Sequence, residues 1–274
     1  MKVLLCILSW VEGCREDKHK AQRATFLQDV SKFPGLDYKI FVGNNEPTGE
    51  GWDYDSNKSF EAANHLTREH NAIHQPKMPF DYVPREDEVV LRIPDDLAHV
   101  AFKARAAWQW ALDNGYDYVF NCFCDTYVDI EKLMHSEFEK HDFIGLTYDS
   151  NRCPLGGVGY WLSKRCLQIL VQSHVDFWAD DGWAGWTLQK HDIWLHCDPT
   201  RYVQYPELGV PAKHNDVVSV HVGQIRYYRM RNIYDGTWYA LSEEERRKDV
   251  GITTEKWERE HLEYRRTMEK QCRA

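Results

Sequence analysis

The sequence predicts an α/β protein with a single Rossmann-like mixed sheet flanked by helices. Residues Tyr118–Phe123 are apolar or aromatic with almost no interruption, which is typical of a strand buried on both faces. Near the start of the chain, Val3–Leu8, Lys18–Val30 and Tyr38–Val42 have the patterns of a strand, a helix and a strand. That succession is the βαβ opening of a nucleotide-binding α/β domain.

The composition allows one large domain or two small ones with a sizeable core, and the lack of a low-complexity linker favours one. The chain has 274 residues, of which 43% are hydrophobic, and a net charge of −9. An acidic chain gains nothing from counterion release, which argues against duplex DNA as a partner. No run approaches ~20 apolar residues, so no membrane span is expected. The eight cysteines form no C-x-x-C pair, and we expect reduced thiols and a cytoplasmic protein.

The later elements follow from periodicity and capping residues. Residues 46–84 are rich in polar residues, glycine and proline, and predict an irregular insertion. Beyond it we expect strands at Val89–Ile93, Phe143–Thr147 and Val217–Val222, and helices at His99–Leu112, Lys164–Gln172 and Ala184–Lys190, with Asp96 as the N-cap of the first helix. Residues 1–235 form the predicted main domain, and 236–274 form a helical extension with a Ser242–Glu245 capping box.

Asp125 is the acidic residue at which the buried strand stops. In open α/β sheets, ligands bind at the carboxyl edge of the strands. The alternative is that Asp125 only caps the following helix. Farther along, Gly156, Gly157 and Gly159 are three glycines within four residues, which indicates close backbone approach either to a ligand or to a neighbouring strand.

Asp180, Asp181 and His221 complete the groups that can do chemistry. A carboxylate and an imidazole together can hold a divalent ion such as Mn²⁺, and a separate carboxylate can act as a general base. The alternatives are ordinary helix capping by the two aspartates and a hydrogen-bonded core position for His221. The chain has no G-x-G-x-x-G or Walker sequence, so a phosphate would be held in another way.

Several short motifs occur in an order and at intervals that are characteristic together. They are Arg23-Ala24-Thr25-Phe26, Tyr38–Gly43, Asp96–Lys103 followed by Trp108, Cys124–Val128, Gly156–Ser163, Asp180–Gly185 and the late His221. In these motifs the chain resembles inverting β1,3-glycosyltransferases of the galactosyltransferase and Fringe type, which have the GT-A fold. The resemblance covers most of residues 3–225, and Gly156–Ser163 is its most specific match.

The resemblance implies a metal-dependent transfer of a sugar from a nucleotide-diphosphate donor, with a uridine diphosphate sugar favoured. It implies that Asp125 and His221 hold Mn²⁺ or Mg²⁺ and that Asp181 is the general base. The residues implied to contact the donor are Ser9, Arg23, Lys103, Gly156 and Gly157. Trp161, Trp183 and Trp186 are candidate sugar platforms or core residues, and the acceptor is a glycan, a protein or a modified base.

One departure from the family leaves other functions open. The family's D-x-D motif reads Phe123-Cys124-Asp125 here, so only its last carboxylate is retained. A non-catalytic sugar- or nucleotide-binding module and a viral transferase acting on a hydroxylated DNA base both remain alternatives. A metal-dependent phosphohydrolase is less favoured, because the sequence has no dense His/Asp cluster of the two-metal kind.

Overall fold

The structure is a computed structural model that describes residues 1–9, 19–44, 83–95, 97–147, 153–203, 217–221 and 233–235. The predicted N-cap Asp96, nearly all of the insertion at 46–84 and the helical extension at 236–274 lie outside the described residues. The division into a main domain and an extension therefore stays a prediction. Within the described ranges, no helix has both the length and the apolar character needed to cross a bilayer.

Ten strands and five α-helices make up the described chain. The strands are β1 Val3–Leu8, β2 Leu36–Val42, β3 Glu88–Val90, β4 Tyr118–Phe123, β5 Thr126–Val128, β6 Phe143–Gly145, β7 Tyr160–Ser163, β8 His196–Cys197, β9 Tyr202–Val203 and β10 Ser219–His221. The helices are α1 Lys20–Arg23, α2 Val100–Asp113, α3 Ile130–Met134, α4 Lys164–Gln172 and α5 Asp180–Gln189. Short 3-10 segments occur at Phe26–Lys32, Leu97–His99, Phe138–Lys140 and Gly156–Val158.

Seven of the strands form one mixed sheet, in the order β3-β2-β1-β4-β7-β6-β8. Strand β7 runs antiparallel to both of its neighbours, and the other adjacent pairs are parallel. A second sheet has the order β5-β10-β9. The predicted mixed α/β sheet is confirmed, but the prediction of a single sheet is wrong, because β5, β9 and β10 form a separate one. The parallel strands of the large sheet bring the carboxyl ends of β1, β2 and β4 to one edge.

The core lies on both faces of the large sheet. Along β1, Val3, Leu5 and Ile7 belong to one hydrophobic cluster, and the alternate residues Leu4, Cys6 and Leu8 belong to the other. This is the two-residue period of a strand that is covered on both sides. Helices α2, α4 and α5 cover one face, while α3, the Phe26–Lys32 segment and the small sheet cover the other.

The observed elements agree with the predictions most closely where the hydrophobic pattern is strongest. Val3–Leu8, Tyr118–Phe123 and Lys164–Gln172 are found with the predicted bounds. The predicted helix at Lys18–Val30 is wrong in its extent, because α1 ends at Arg23 and a 3-10 segment follows. The hydroxyl of Thr25 donates to the carbonyl of Ala21 at 2.6 Å, and this local bond competes with a regular helix.

Two further differences affect the functional edge. Strand β7 was not predicted as a separate element, because its four residues lie directly between the glycine-rich stretch and α4. Helix α5 begins at Asp180, four residues before the predicted start at Ala184. Asp180 and Asp181 therefore belong to the first turn of a helix, where the positive end of the helix dipole favours acidic side chains.

Candidate functional site

Asp125 and His221 lie side by side at the carboxyl edge of the large sheet. Asp125 occupies the turn between β4 and β5, and Thr126, which follows it, is the antiparallel partner of His221 in β10. This pairing brings the Nε2 atom of His221 to 3.5 Å from the Oδ2 atom of Asp125. Both side chains are about one-fifth exposed, so a ligand can reach them.

The chemistry of this pair fits a divalent ion. Two ligands that each lie about 2.1 Å from an ion are about 3 Å apart when they meet at a right angle. The observed 3.5 Å between the donor atoms is compatible with a shared ion after a small adjustment. Among the described residues, no group of three or more His, Cys, Asp or Glu side chains is arranged so that it could hold a metal ion. The remaining ligand positions would fall to water and phosphate oxygens, as is usual for Mg²⁺ sites.

The 3-10 turn at Gly156–Val158 lies against this pair. The hydroxyl of Thr126 donates to the carbonyl of Gly157 at 2.9 Å, and that of Ser219 donates to the carbonyl of Val158 at 2.5 Å. A methyl group on Gly157 would lie 2.9 Å from Cδ2 and 3.1 Å from Nε2 of His221. The backbone therefore packs closely on the imidazole, and any larger residue at this position would displace the ring.

The carboxylate of Asp181 reaches the same turn from α5. Its Oδ2 atom accepts a hydrogen bond from the backbone N–H of Gly156 at 3.0 Å, and its Oδ1 atom accepts one from the N–H of Gly182 at 2.7 Å. A methyl group on Gly156 would lie 3.1 Å from Oδ2 of Asp181. The turn thus contacts Asp181 through Gly156 and His221 through Gly157, and it joins the predicted base to the predicted metal ligands.

Lys103 and Ser9 meet at the carboxyl end of β1. The ammonium group of Lys103 donates to the carbonyl of Ser9 at 2.7 Å and pairs with Oδ1 of Asp95 at 2.5 Å. Asp95 also accepts from the backbone N–H of Gly43, which follows β2. Burial, and then the charge of Lys103, lowers the pKa of His99 to about 4. Lys103 is 3% exposed and its charge is compensated by Asp95, so its observed contacts hold strand ends together.

Sequence reasoning missed a buried chain of polar side chains that leads from Ser9 towards the site. The hydroxyl of Ser9 lies 2.6 Å from Nε2 of His19, whose Nδ1 atom lies 2.8 Å from Oε1 of Gln22. The amide nitrogen of Gln22 donates to the carbonyls of Phe123 and Thr126, on either side of Asp125. Because Ser9 is 2% exposed and His19 is fully buried, this chain positions the turn and is not arranged as a nucleophile and its base.

The guanidinium of Arg23 is held by two carboxylates. Its guanidinium donates to both carboxylate oxygens of Asp87, at 2.7 and 3.0 Å, and to Glu88 at 2.9 Å. Asp87 also accepts from the hydroxyl of Tyr38, and the Arg23 and Tyr38 donors hold its pKa below the usual value against the effect of burial. Glu88 belongs to β3, three strands from β4 or about 14 Å across the sheet. These bonds give Arg23 a structural role, and its contact with a diphosphate stays a prediction.

Two of the three candidate sugar platforms are core residues. Trp161 is fully buried and stacks on Phe138, with ring centroids 3.9 Å apart. Trp183 is also fully buried and stacks on Trp108 at 5.7 Å. Trp186 is 37% exposed, so of these three only Trp186 presents its ring to solvent.

Asp180 is buried and sits at the centre of a polar network that the sequence analysis did not find. Its Oδ2 atom accepts from the hydroxyl of Tyr160 at 2.5 Å and from the side-chain amide of Asn121 at 3.1 Å. Burial, and then the charge of Asp181, raises the pKa of Asp180 above its usual value. An available signal was Asn121, a polar side chain inside an otherwise apolar strand, which is costly without a partner.

The class defined by this fold and site is an α/β protein with a carboxylate–imidazole pair and a separate carboxylate at the carboxyl edge of a mixed sheet. The sequence matches no protein-family model. It also has no significant match among curated proteins. The function therefore has to be argued from the residues and their geometry.

Proposed function

We propose that this protein is a metal-dependent inverting glycosyltransferase with the GT-A fold. It transfers a sugar from a nucleotide-diphosphate donor, preferably a uridine diphosphate sugar, to an acceptor hydroxyl. The observation that supports this best is the convergence of four separate parts of the chain. Asp125 and His221 lie 3.5 Å apart, and Gly156 donates to Asp181 at 3.0 Å. A methyl group added to Gly157 would lie 2.9 Å from the imidazole of His221.

Asp125 and His221 would hold Mn²⁺ or Mg²⁺. A divalent ion at this position supplies charge neutralisation for the departing diphosphate and acts as a Lewis acid. The carboxylate and the neutral imidazole are both suited to such an ion. The chain keeps one carboxylate at Phe123-Cys124-Asp125, so more of the coordination is left to donor oxygens and water than in a site with a full D-x-D motif.

Asp181 takes the proton of the acceptor hydroxyl as that oxygen attacks the anomeric carbon. A single displacement from the face opposite the leaving group inverts the configuration and needs one base without a protein nucleophile. The two backbone N–H groups of Gly156 and Gly182 hold the carboxylate in a fixed orientation. Such orientation is what a general base requires, because proton transfer depends on hydrogen-bond geometry.

The remaining donor and acceptor contacts follow from the same turn and helix. Gly156 and Gly157 let the backbone approach the donor sugar closely, because neither carries a side chain. Trp186, exposed on the helix that begins with Asp180 and Asp181, is the candidate platform for a sugar ring. Lys103 contributes by holding the carbonyl of Ser9, with its charge compensated by Asp95.

The test is to compare the unmodified protein with Asp181→Asn and with Asp192→Asn across a panel of nucleotide sugars in Mn²⁺. Asp192 is exposed and has a positive φ of 57°, which asparagine tolerates, so it is a matched control. Donor turnover should fall by ~10²-fold or more in Asp181→Asn while donor affinity stays the same. Unchanged turnover in Asp181→Asn would remove Asp181 as the base. Donor binding without turnover in the unmodified protein would instead support the non-catalytic binding module.

A further inference from the structure

We infer that Asp180 is a positioning residue for the base: it anchors the first turn of α5 to the sheet and tunes the basicity of Asp181 by its charge. The inference rests on the proposed function, since it assigns a role relative to the proposed base. It concerns a residue that touches neither the donor nor the metal in this account. The supporting observations are three hydrogen bonds, one ring stack and the order of two residues in the chain.

The network around Asp180 spans the middle of the sheet. Asn121 in β4 and Tyr160 in β7 are direct partners in the antiparallel register, and both are fully buried. Each donates a hydrogen bond to the same oxygen, Oδ2 of Asp180, which is itself 2% exposed. A buried carboxylate of this kind is retained only when donors compensate its desolvation.

The direction of these bonds is fixed by Trp108. Its indole N–H donates to Oδ1 of Asn121 at 3.1 Å, so the amide NH₂ group of Asn121 must point towards Asp180. An indole can only donate, and a carboxylate can only accept. The network therefore runs in one direction, from Trp108 through Asn121 to Asp180, and it is arranged to receive a negative charge.

The same network sets the position of Asp181. Asp180 is the first residue of α5, and the N-cap residue Ala179 provides no side-chain cap. The hydrogen bonds that Asn121 in β4 and Tyr160 in β7 donate to Asp180 therefore fix the start of a helix that lacks a side-chain N-cap. Trp183, one turn later, stacks on Trp108 and fixes the same helix against α2. Because Asp181 follows Asp180 directly, a shift of this anchor also shifts the base away from Gly156.

Charge on Asp180 also acts on its neighbour. A negative charge next to Asp181 disfavours the ionised form of that carboxylate and makes it a better proton acceptor. Among the described residues, the other titratable groups that face Asp180 are Tyr160 on β7 and Cys6 on β1, and burial raises the pKa of both, so they stay neutral. Asp181 is the neighbouring charged group in this set, and after burial its charge is the next cause that raises the pKa of Asp180.

The experiment compares Asp180→Asn and Tyr160→Phe with the unmodified protein and with the exposed control Asp192→Asn. In Asp180→Asn we expect the acidic limb of the pH profile of kcat to move to lower pH. The kcat at neutral pH should fall ~10-fold or more, while the KM for the donor should not change. Tyr160→Phe removes one donor and should give a smaller shift in the same direction. A folded Asp180→Asn variant or Tyr160→Phe variant with an unchanged pH profile overturns the inference.

A second readout separates this inference from the proposed function. With its raised pKa, Asp180 binds a proton more tightly in the folded protein than in the unfolded chain. Asp180 thus favours folding at acid pH and loses that contribution as the pH rises. As the pH rises from about 5 to about 8, the denaturant concentration at the unfolding midpoint should fall in the unmodified protein and should fall less in Asp180→Asn. An equal dependence of the midpoint on pH in the two proteins overturns the inference. Absence of transfer in every protein, including the unmodified one, overturns the proposed function instead.

Discussion

Replacing Gly157 by alanine tests whether Asp125 and His221 bind a metal ion, because the added methyl group would push against the ring of His221. The added methyl group would lie 2.9 Å from Cδ2 and 3.0 Å from Cγ of His221. An unstrained carbon–carbon contact is about 3.5 Å, so the imidazole has to retreat by roughly 0.6 Å. The ring, which is about one-fifth exposed, can move towards solvent, whereas the turn is held by the hydroxyls of Thr126 and Ser219.

This displacement of the imidazole exceeds the variation in metal–ligand distance that a metal site tolerates. Ligand distances in a working site vary by about ±0.2 Å, and loss of a supporting contact typically lowers metal affinity by about 10–100-fold. We therefore expect Mn²⁺ affinity to fall by about 10–100-fold in Gly157→Ala. The overpacking itself should cost about 1–3 kcal/mol of the free energy of unfolding, which leaves the variant foldable.

Isothermal titration with Mn²⁺, in the presence and absence of a uridine diphosphate sugar, measures this change. Gly156→Ala is the matched control, because its methyl group meets Asp181 and Phe123 instead of the imidazole. It should retain Mn²⁺ affinity and lose turnover. The double variant that combines Gly157→Ala with His221→Ala should bind Mn²⁺ only slightly more weakly than His221→Ala alone. Unchanged Mn²⁺ affinity in a folded Gly157→Ala protein would refute the reasoning.

Four further substitutions separate metal binding, stability and acceptor contact. Asp125→Ala should weaken Mn²⁺-dependent donor binding, and an unaltered Mn²⁺ dependence in calorimetry would remove Asp125 from the metal site. Arg23→Gln should lower the free energy of unfolding by roughly 1–3 kcal/mol, because Asp87 loses its charged donor, while donor affinity stays constant; weaker donor binding would restore Arg23 to the site. Trp183→Ala should cost about 3–5 kcal/mol in denaturant unfolding, whereas Trp186→Ala should leave stability nearly unchanged and raise the acceptor KM; equal stability losses would contradict this assignment.

The fold was predictable where burial imposes a continuous pattern. Tyr118–Phe123 lies between two other strands in the sheet, so its apolar run identified both its type and its bounds. The strand β7 was missed because its pairing with β4 and β6 is a tertiary property that four residues cannot encode alone. Helix α1 was predicted too long, because the local bond from Thr25 to Ala21 outweighs the helical spacing.

The candidate site was predictable only in part. Asp125, Asp181, His221 and the glycine turn were identified from motifs, and the structure brings them together. The resemblance implied diphosphate contacts for Arg23 and Lys103, and their observed partners are carboxylates from other segments.

The buried side chains were harder to predict. Asp180 has the same residue type as Asp181 and precedes it directly, and only tertiary packing shows that Asp180 points into the core. The partners of Asn121 are likewise distant in sequence, on α2 and α5. Sequence patterns identify that such a residue needs a partner, but they do not identify which partner it has.

The most direct test of the central claim is to locate Mn²⁺ by anomalous diffraction in crystals grown with Mn²⁺ and uridine diphosphate. The account predicts an anomalous peak about 2.0–2.3 Å from both Oδ2 of Asp125 and Nε2 of His221, in contact with the diphosphate. Nucleotide bound elsewhere, or bound at this edge with no anomalous peak between these two side chains, would contradict it.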